Sequence, residues 1–466
     1  NVAFAAAWTR GPLDNSPLAP IGQGLASFLL GLPTGGYIDR NASYAQQSTY
    51  QGWYVHDDWK ITRTVTVNLG LRYEYEGPTT ERYNRSNRGF DFTTPSPIEA
   101  QARANYARSP IPEVPPERFR TLGGLLFAGA GGQPRTLWNG NKNNWAPRIG
   151  VAWRLRPRMA LRLGYGVYYE SLGTDRNDVG QQGFNQRTSL VPSNDNGRTF
   201  VATLSDPFPG GFLEPLGAAN GLRTFLGRSP SFFTPTRRNG YLQRWSLMAQ
   251  HELPGRMMIE IGYTGSRGTG LGIGFNYDTT PAGYLSRSPE RDQAANDFLT
   301  AAVANPFRGI REFEGTGFYL NTTLQRSQLL SPFPHFNGVS TTLSDGFSWY
   351  HAGHLRFERR FARGLGIQAT YTWSKFMEAV DRLNAQDLHP HHAVSPQDRP
   401  HHIVASGQYE LPFGRGSLAS RHAALNHVLG GWSVQAIYQW QSGAPVGFGN
   451  IIFRGFLADM VLPRSQ

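Results

Sequence analysis

A chain of 466 residues is long enough for two or three ordinary soluble domains or for one large sheet closed into a cylinder. Its 39% hydrophobic and 17% charged residues, with 54 glycines and 13% aromatics, suit strands with small faces and aromatic anchors and are poor material for helical bundles. Cysteine is absent, which excludes disulfide scaffolds and thiolate metal sites, and the longest apolar run, Leu25 to Leu32, is far short of the roughly 18 residues of a membrane helix.

The net charge is +12, from 45 Lys and Arg against 33 Asp and Glu. No basic run or nucleic-acid motif accompanies it, so no nucleic-acid partner is assigned; anionic lipid headgroups are the better match for surplus arginine. Asn1 opens no charged n-region or cleavage site, and the chain reads as an internal piece of something longer.

In chain order, Val2 to Trp8 reads as a strand followed by a loop rich in Pro, Gly and Asn through Asn41. Gln51 to Lys60 alternates Trp53, Val55 and Trp59 on one face. After Ile61-Thr62-Arg63 its partner carries Val65, Val67, Leu69, Leu71, Tyr73 and Tyr75 against Asn68, Gly70, Arg72, Glu74 and Glu76. Residues 77–144 read as a loop with one short helix around Glu99 to Tyr106. Trp145 to Glu170 then forms a hairpin about Arg156-Pro157-Arg158: Ile149, Val151, Trp153, Leu161, Leu163, Tyr165 and Val167 share a face, and Arg148, Arg154, Arg162, Gly164 and Glu170 the other. A third hairpin turns at Pro254-Gly255, with Ile259 and Ile261 opposite Arg244 and Glu260. Gly265 to Asp345 reads as the longest connection. A fourth hairpin, Phe347 to Phe376, turns at Ala362-Arg363-Gly364 and sets Leu355, Phe357, Tyr371 and Trp373 against Arg356, Glu358 and Arg360. His402 to Leu411 and Trp432 to Ser442 complete the series, joined by a moderate connection containing Pro412, Gly414 and Gly416.

Tight turns therefore alternate with long connections. Successive strands run antiparallel, so all tight turns fall at one end of the sheet and all long loops at the other. That asymmetry, with strands of ten or more residues and Tyr or Trp near the ends of the apolar faces, predicts an all-β, antiparallel transmembrane barrel with short periplasmic turns and long extracellular loops, in the outer membrane of a Gram-negative-type bacterium. The apolar residues Val67, Leu69, Val151, Trp153, Leu163, Tyr165, Ile259, Ile261, Tyr371 and Trp373 are expected to face lipid. Arg72, Glu74, Arg148, Arg154, Arg162, Glu170, Arg244, Glu260, Arg356 and Glu358 are expected to line the lumen.

The phrases NNWAPRIGVAWR (Asn143 to Arg154), LRLGYGVYYE (Leu161 to Glu170), RWSLMAQHELPGRMMIEIGYTGSRGT (Arg244 to Thr269), PQDRPHHIVASGQYELPFGRG (Pro396 to Gly416) and GGWSVQAIYQWQSGAPV (Gly430 to Val446) together resemble the barrel of TonB-dependent outer-membrane receptors. The resemblance is to the Oar-like group, which carries a leading carboxypeptidase-regulatory-like domain, and it covers most of the chain. It implies a barrel of about 22 strands, a plug in the lumen and coupling to the TonB complex through a segment upstream. Residues 1–466 would then be part of that barrel domain, roughly 11 to 16 strands of it, with the plug, leading domain and closing strands outside the chain.

Rival chemistry is thin. Five histidines, His389, His391, His392, His401 and His402, with Asp387 and Asp398 are candidate Zn, Cu or Ni ligands, but no HExxH frame orders them and three prolines interrupt the segment, so no metal is assigned. Asp175, Asn177 and Asp178 lack the later acidic ligand of a calcium loop. Gly268 to Gly274 has glycine at every second position but no βαβ context, marking close backbone approach in a strand and not a phosphate cradle. No Ser/His/Asp order or carboxylate pair supports an enzyme, and no cofactor is implied. The expected function is capture of an unknown extracellular ligand by loops 77–144, 171–239, 267–345 and 377–400 and energised passage through the lumen. The alternatives are a surface-adhesion barrel and a protein-export conduit.

Overall fold

The computed structural model describes residues 1–10, 22–172, 180–194, 199–288, 290–411 and 431–447. Ten strands form one antiparallel meander, each paired with its neighbours in sequence: β1 Tyr50–Lys60, β2 Val65–Glu76, β3 Asn144–Arg156, β4 Met159–Tyr169, β5 Tyr241–Leu253, β6 Met257–Asn276, β7 Ser340–Ala362, β8 Leu365–Ala379, β9 His401–Glu410 and β10 Ser433–Gln441. The short strands Ser231–Phe232, parallel to the top of β7, and Ala393–Val394, on β8, bring the sheet to 12 strands, within the expected range. Among the described residues the sheet is open, and no helix is long and apolar enough to cross a membrane.

Residues 61–64, 157–158, 254–256 and 363–364 make the tight turns. The last is a two-residue loop with φ of 54° at Arg363 and 77° at Gly364. Positive φ at both central residues gives a turn whose twist matches that of the strands it joins. At the other end residues 77–143, 170–240, 277–339 and 380–400 make the long connections, so the alternation of short and long holds. The link from β9 to β10, residues 411–432, lies at the tight-turn end; its Pro412, Gly414 and Gly416 lie outside the described residues.

Strand ends differ from the sequence reading above the sheet. β6 continues to Asn276 and β7 begins at Ser340, so the third long loop is 277–339 and not 267–345. β8 likewise runs to Ala379 before the fourth loop. Bulges after Thr269 and Leu271 let the β6–β7 pair extend beyond the regular ladder. Glycine spacing in this stretch reflects crowding: Gly270 has φ 73°, and a Cβ there would lie 3.4 Å from the Gly240 backbone. Within the third loop Gly317–Leu320 is a helical turn and Thr323–Gln325 a short strand. Near the start, Val2–Ala3 alone is strand and Ala6–Trp8 is a 3₁₀ turn; the expected loop to Asn41 contains the helix Gln23–Leu29 and the strand Gly35–Arg40. The helix Glu99–Tyr106 forms as expected.

Candidate functional site

Cross-strand partners in a ladder point to the same side of the sheet, so the register fixes the two faces. One row runs Trp59, Val67, Val151, Leu163, Leu247, Tyr263; another runs Ile259, Phe357, Ala369, Ala405, Tyr438. Leu69, Ile149 and Tyr165 share a row, as do Val65, Trp153 and Leu161, and Ile261, Leu355 and Tyr371; Trp373 pairs with Gly353. All ten residues expected to face lipid therefore lie on one side. Among the described residues no second protein layer covers it: Ile261 is 62% and Trp373 56% exposed. Asp57, opposite Leu69, is the one acid on this side among the residues that these ladders pair.

The opposite side carries the row Asn68, Gly150, Gly164, Ser246, Thr264, Ala352 and, in rows parallel to it, Arg72, Glu74, Arg148, Arg154, Arg162, Arg244, Glu260, Arg356 and Glu358. Two arginines of the wall pair with acids on their own strands. Arg72 Nε donates to Glu74 at 2.6 Å and its Nη2 to the Tyr50 hydroxyl at 3.0 Å; Arg356 donates to Glu358 at 2.9 Å and stands opposite Glu260 in the ladder. The Arg148 guanidinium lies 4.8 Å from the Tyr168 ring centroid. Glu170 falls just past β4, where its carbonyl accepts from Asn239 at 2.9 Å.

Above the strands, the loops form a cap with its own hydrophobic core, which sequence reasoning missed. The first loop contributes Phe90, Tyr106 and Phe119, the second Leu226 and Phe232, and the third Phe307, Phe313, Phe333 and Phe336. Tyr106 stacks on Phe119 at 4.0 Å, Phe307 lies 5.0 Å from Phe313, and Phe90 lies 5.7 Å from Phe232 and 5.4 Å from Phe333, so rings from three loops touch. Aromatic rings spaced irregularly through proline-rich chain give no period, and density of Phe was the one available signal.

A polar knot fastens the loop roots. The buried Glu76 carboxylate at the end of β2 accepts from Ser171 Oγ at 2.7 Å, Leu172 N at 2.9 Å and Asn239 Nδ2 at 2.7 Å. Asn239 Oδ1 in turn accepts from Asn144 at 3.2 Å and Asn141 at 3.4 Å. The asparagine cluster before β3 is thus a clasp between the first two loops. Glu81 does similar work in the first loop: burial alone would raise its carboxyl, but backbone N–H donors of Ala45, Arg85 and Tyr83 outweigh this and hold it below the ordinary value.

Where the cap meets the strand tops lies a cavity of about 690 Å³ lined by Phe232, Phe233, Arg237, Phe275, Asn276, Thr341, Arg382 and Asn384, among others. Arg382, its side chain 5% exposed, donates to Asp345 at 2.5 Å and to the Gly274 carbonyl at 3.3 Å and lies 4.8 Å from the Phe275 ring centroid. A pinned, dry guanidinium beside aromatic rings suits a planar or anionic polar group. The first, second and fourth long loops reach this cavity, together with the tops of β6 and β7.

The candidate metal ligands disperse. His392 packs 5.0 Å from Phe347 and 5.4 Å from Trp349, His391 N donates to the Asp381 carbonyl at 2.7 Å, and His401 Nδ1 lies 2.7 Å from the Tyr371 hydroxyl. Asp398 accepts from Phe376 N at 2.7 Å and Lys375 Nζ at 3.3 Å, and Asp387 caps Asn384 N at 2.9 Å. Neither they, His389 nor His402 join a group of three acidic or histidine ligands among the described residues. Asp175, Asn177 and Asp178 lie outside those residues.

Solved structures similar to this chain include the alcaligin outer-membrane receptor FauA of Bordetella pertussis, at 12% identity over 85% of this chain and 38% of that one, TM-score 0.33. The outer-membrane transporter YddB of Escherichia coli matches at 10% identity over 89% of this chain and 45% of that one, TM-score 0.36, and the FrpB iron transporter of Neisseria meningitidis at 9% over 88% and 35%, TM-score 0.33. The chain thus spans less than half the length of each. Among curated proteins none matches the sequence. The model of the outer membrane beta barrel domain matches residues 1–451, nearly the whole length over which the two-faced meander and its capped end have been described, and the chain belongs to that family and to the outer membrane.

Proposed function

We propose that residues 1–466 are part of the barrel of a TonB-dependent receptor of the Oar-like kind, which captures an extracellular ligand in its cap and passes it through the lumen when an upstream plug is moved by the TonB complex. The carrying observation is the cap: the first three long loops share one aromatic core, and the first, second and fourth line a cavity at the strand tops, so the loops form a shaped receptor surface. The apolar side of the sheet faces lipid, and the paired charges of the other side line the lumen. The five sequence phrases similar to such receptors support it as well.

Spent growth medium passed over the full-length protein and over its Arg382→Ala variant, with retained compounds identified by mass spectrometry, tests it. A compound held by the parent and lost from the variant, and accumulated by cells until an uncoupler discharges the inner membrane, is the expected result. Identical retention by both proteins removes the cavity from the reading; accumulation indifferent to the uncoupler removes energised transport.

A further inference from the structure

Toward the loop end of β6 to β9, the apolar side changes character. In its last rows stand Arg267 on β6, His351 on β7, Lys375 on β8 and His401 on β9: His351 pairs with Gly265 and Lys375, Arg267 with Trp349, and His401 with Trp373. These rows contain no Asp or Glu. At the same end of β1 to β4, this side presents Trp53, Tyr73, Trp145 and Tyr169 with no cation. The basic groups therefore occupy one sector of the circumference.

The same construction occurs twice within it. Tyr263 places its hydroxyl 2.6 Å from His351 Nδ1 with the rings 14° from parallel, and Tyr371 places its own 2.7 Å from His401 Nδ1 with the rings 7° from parallel. With Nδ1 accepting the phenolic proton, Nε2 is the ring's remaining donor. Arg267 lies 6.0 Å from the Phe347 ring centroid, and His392 packs against the same ring. Lys375 has one anionic partner, the buried Asp398 reached from the fourth loop, and itself remains partly exposed.

We propose that this sector is a binding site for the phosphate-bearing headgroup of a lipid in the outer leaflet. Aromatic rings at the hydrocarbon boundary position a bound lipid, and several nitrogen donors just beyond them meet the oxygens of its phosphate groups. A solvated surface would intersperse exposed carboxylates among the cations; here the one carboxylate that meets them among the described residues, Asp398, is buried. The inference rests on the outward facing proposed above for the apolar side.

Native mass spectrometry of the full-length protein in non-ionic detergent, titrated with bis-phosphorylated lipid A and with its dephosphorylated form, tests the site. The phosphorylated lipid should be preferred by the parent. Arg267→Gln/Lys375→Gln should weaken it roughly thirtyfold, at about fivefold per basic side chain beside an anionic headgroup. His351→Gln/His401→Gln, which spares both full charges, should weaken it in the same direction. Arg148→Gln/Arg162→Gln, an equal loss of charge on the other side, should leave it within twofold. Equal retention of the two lipids, or equal weakening by both arginine-bearing double variants, overturns the site. Failure of the facing itself reads out separately, as an arginine at Leu69 being tolerated in assembly as well as one at Asn68.

Discussion

Two buried ionisable side chains in the third loop set the pH response of the cap. Asp278, whose carboxylate accepts from Phe333 N at 2.9 Å, is pushed up to about 7 by burial, against the pull of the Phe333 and Gly338 amides. His335, fully buried, is pushed down to about 3, again by burial. Between the ordinary 3.8 and about 7 the folded Asp278 keeps a proton the unfolded chain releases, so its contribution is lost as pH rises. Below 6.5 the unfolded His335 gains a proton the folded one refuses, so its contribution is lost as pH falls. The two slopes offset each other between about pH 4 and 6.5. Asp278→Asn removes one of them: hydrogen-exchange protection of residues 333–339 should then fall by roughly 1.4 kcal/mol per pH unit on acidification below 6.5, where the parent stays nearly flat. Parallel profiles for the two proteins would refute this balance. Neither residue was legible as special in the sequence, because burial inside an aperiodic loop has no pattern to announce it.

At the scale of the strand, alternation was legible and boundaries above the membrane were not. Val65 to Glu76 was read correctly residue by residue because each apolar side chain has a polar neighbour, and the register brings Val67 onto Val151 and Leu163 as that alternation requires. Beyond Thr269 the bulges of β6 shift the period, so the end of the strand was counted within the long connection, although the alternate glycines of Gly268 to Gly274 had marked a strand there. Leu69 lies midway between the Val65–Trp153 row and the Tyr73–Trp145 row. From Trp145 to Trp153 the strand rises roughly 26 Å, or about 20 Å along an axis tilted some 40° from it, close to the ~25 Å apolar band of such barrels. Leu69→Arg should therefore cost about 2–4 kcal/mol and block assembly of the full-length protein, whereas Asn68→Arg, one residue away on the wet side, should assemble normally. Heat-resistant migration on a gel scores both. Equal outcomes would mean that the sides have been assigned the wrong environments.

On the scale of the whole molecule, the protein has two unlike halves. The sheet has few fully buried side chains and depends on its surroundings; the cap is packed like a soluble domain, with Phe307, Phe313 and Phe336 wholly enclosed. The dispersal of His389, His391 and His392 belongs to this scale too, since the fold of the fourth loop, and not the spacing of its residues, decides what they touch. Phe313→Ala should cost about 3–5 kcal/mol. Because its ring belongs to a core shared among loops, the loss should appear as faster hydrogen exchange in the helix Glu99–Tyr106 of the first loop, a segment far from it in sequence. Faster exchange confined to residues 277–339 would show that the loops pack independently.

The jointly built core also constrains how such a receptor changes its ligand. A loop exchanged alone would arrive without the rings its neighbours expect and leave a void where three chains now interlock. New recognition should be inherited as a matched set of loops on an old wall, while single substitutions at the rim of the cavity retune what the existing set accepts.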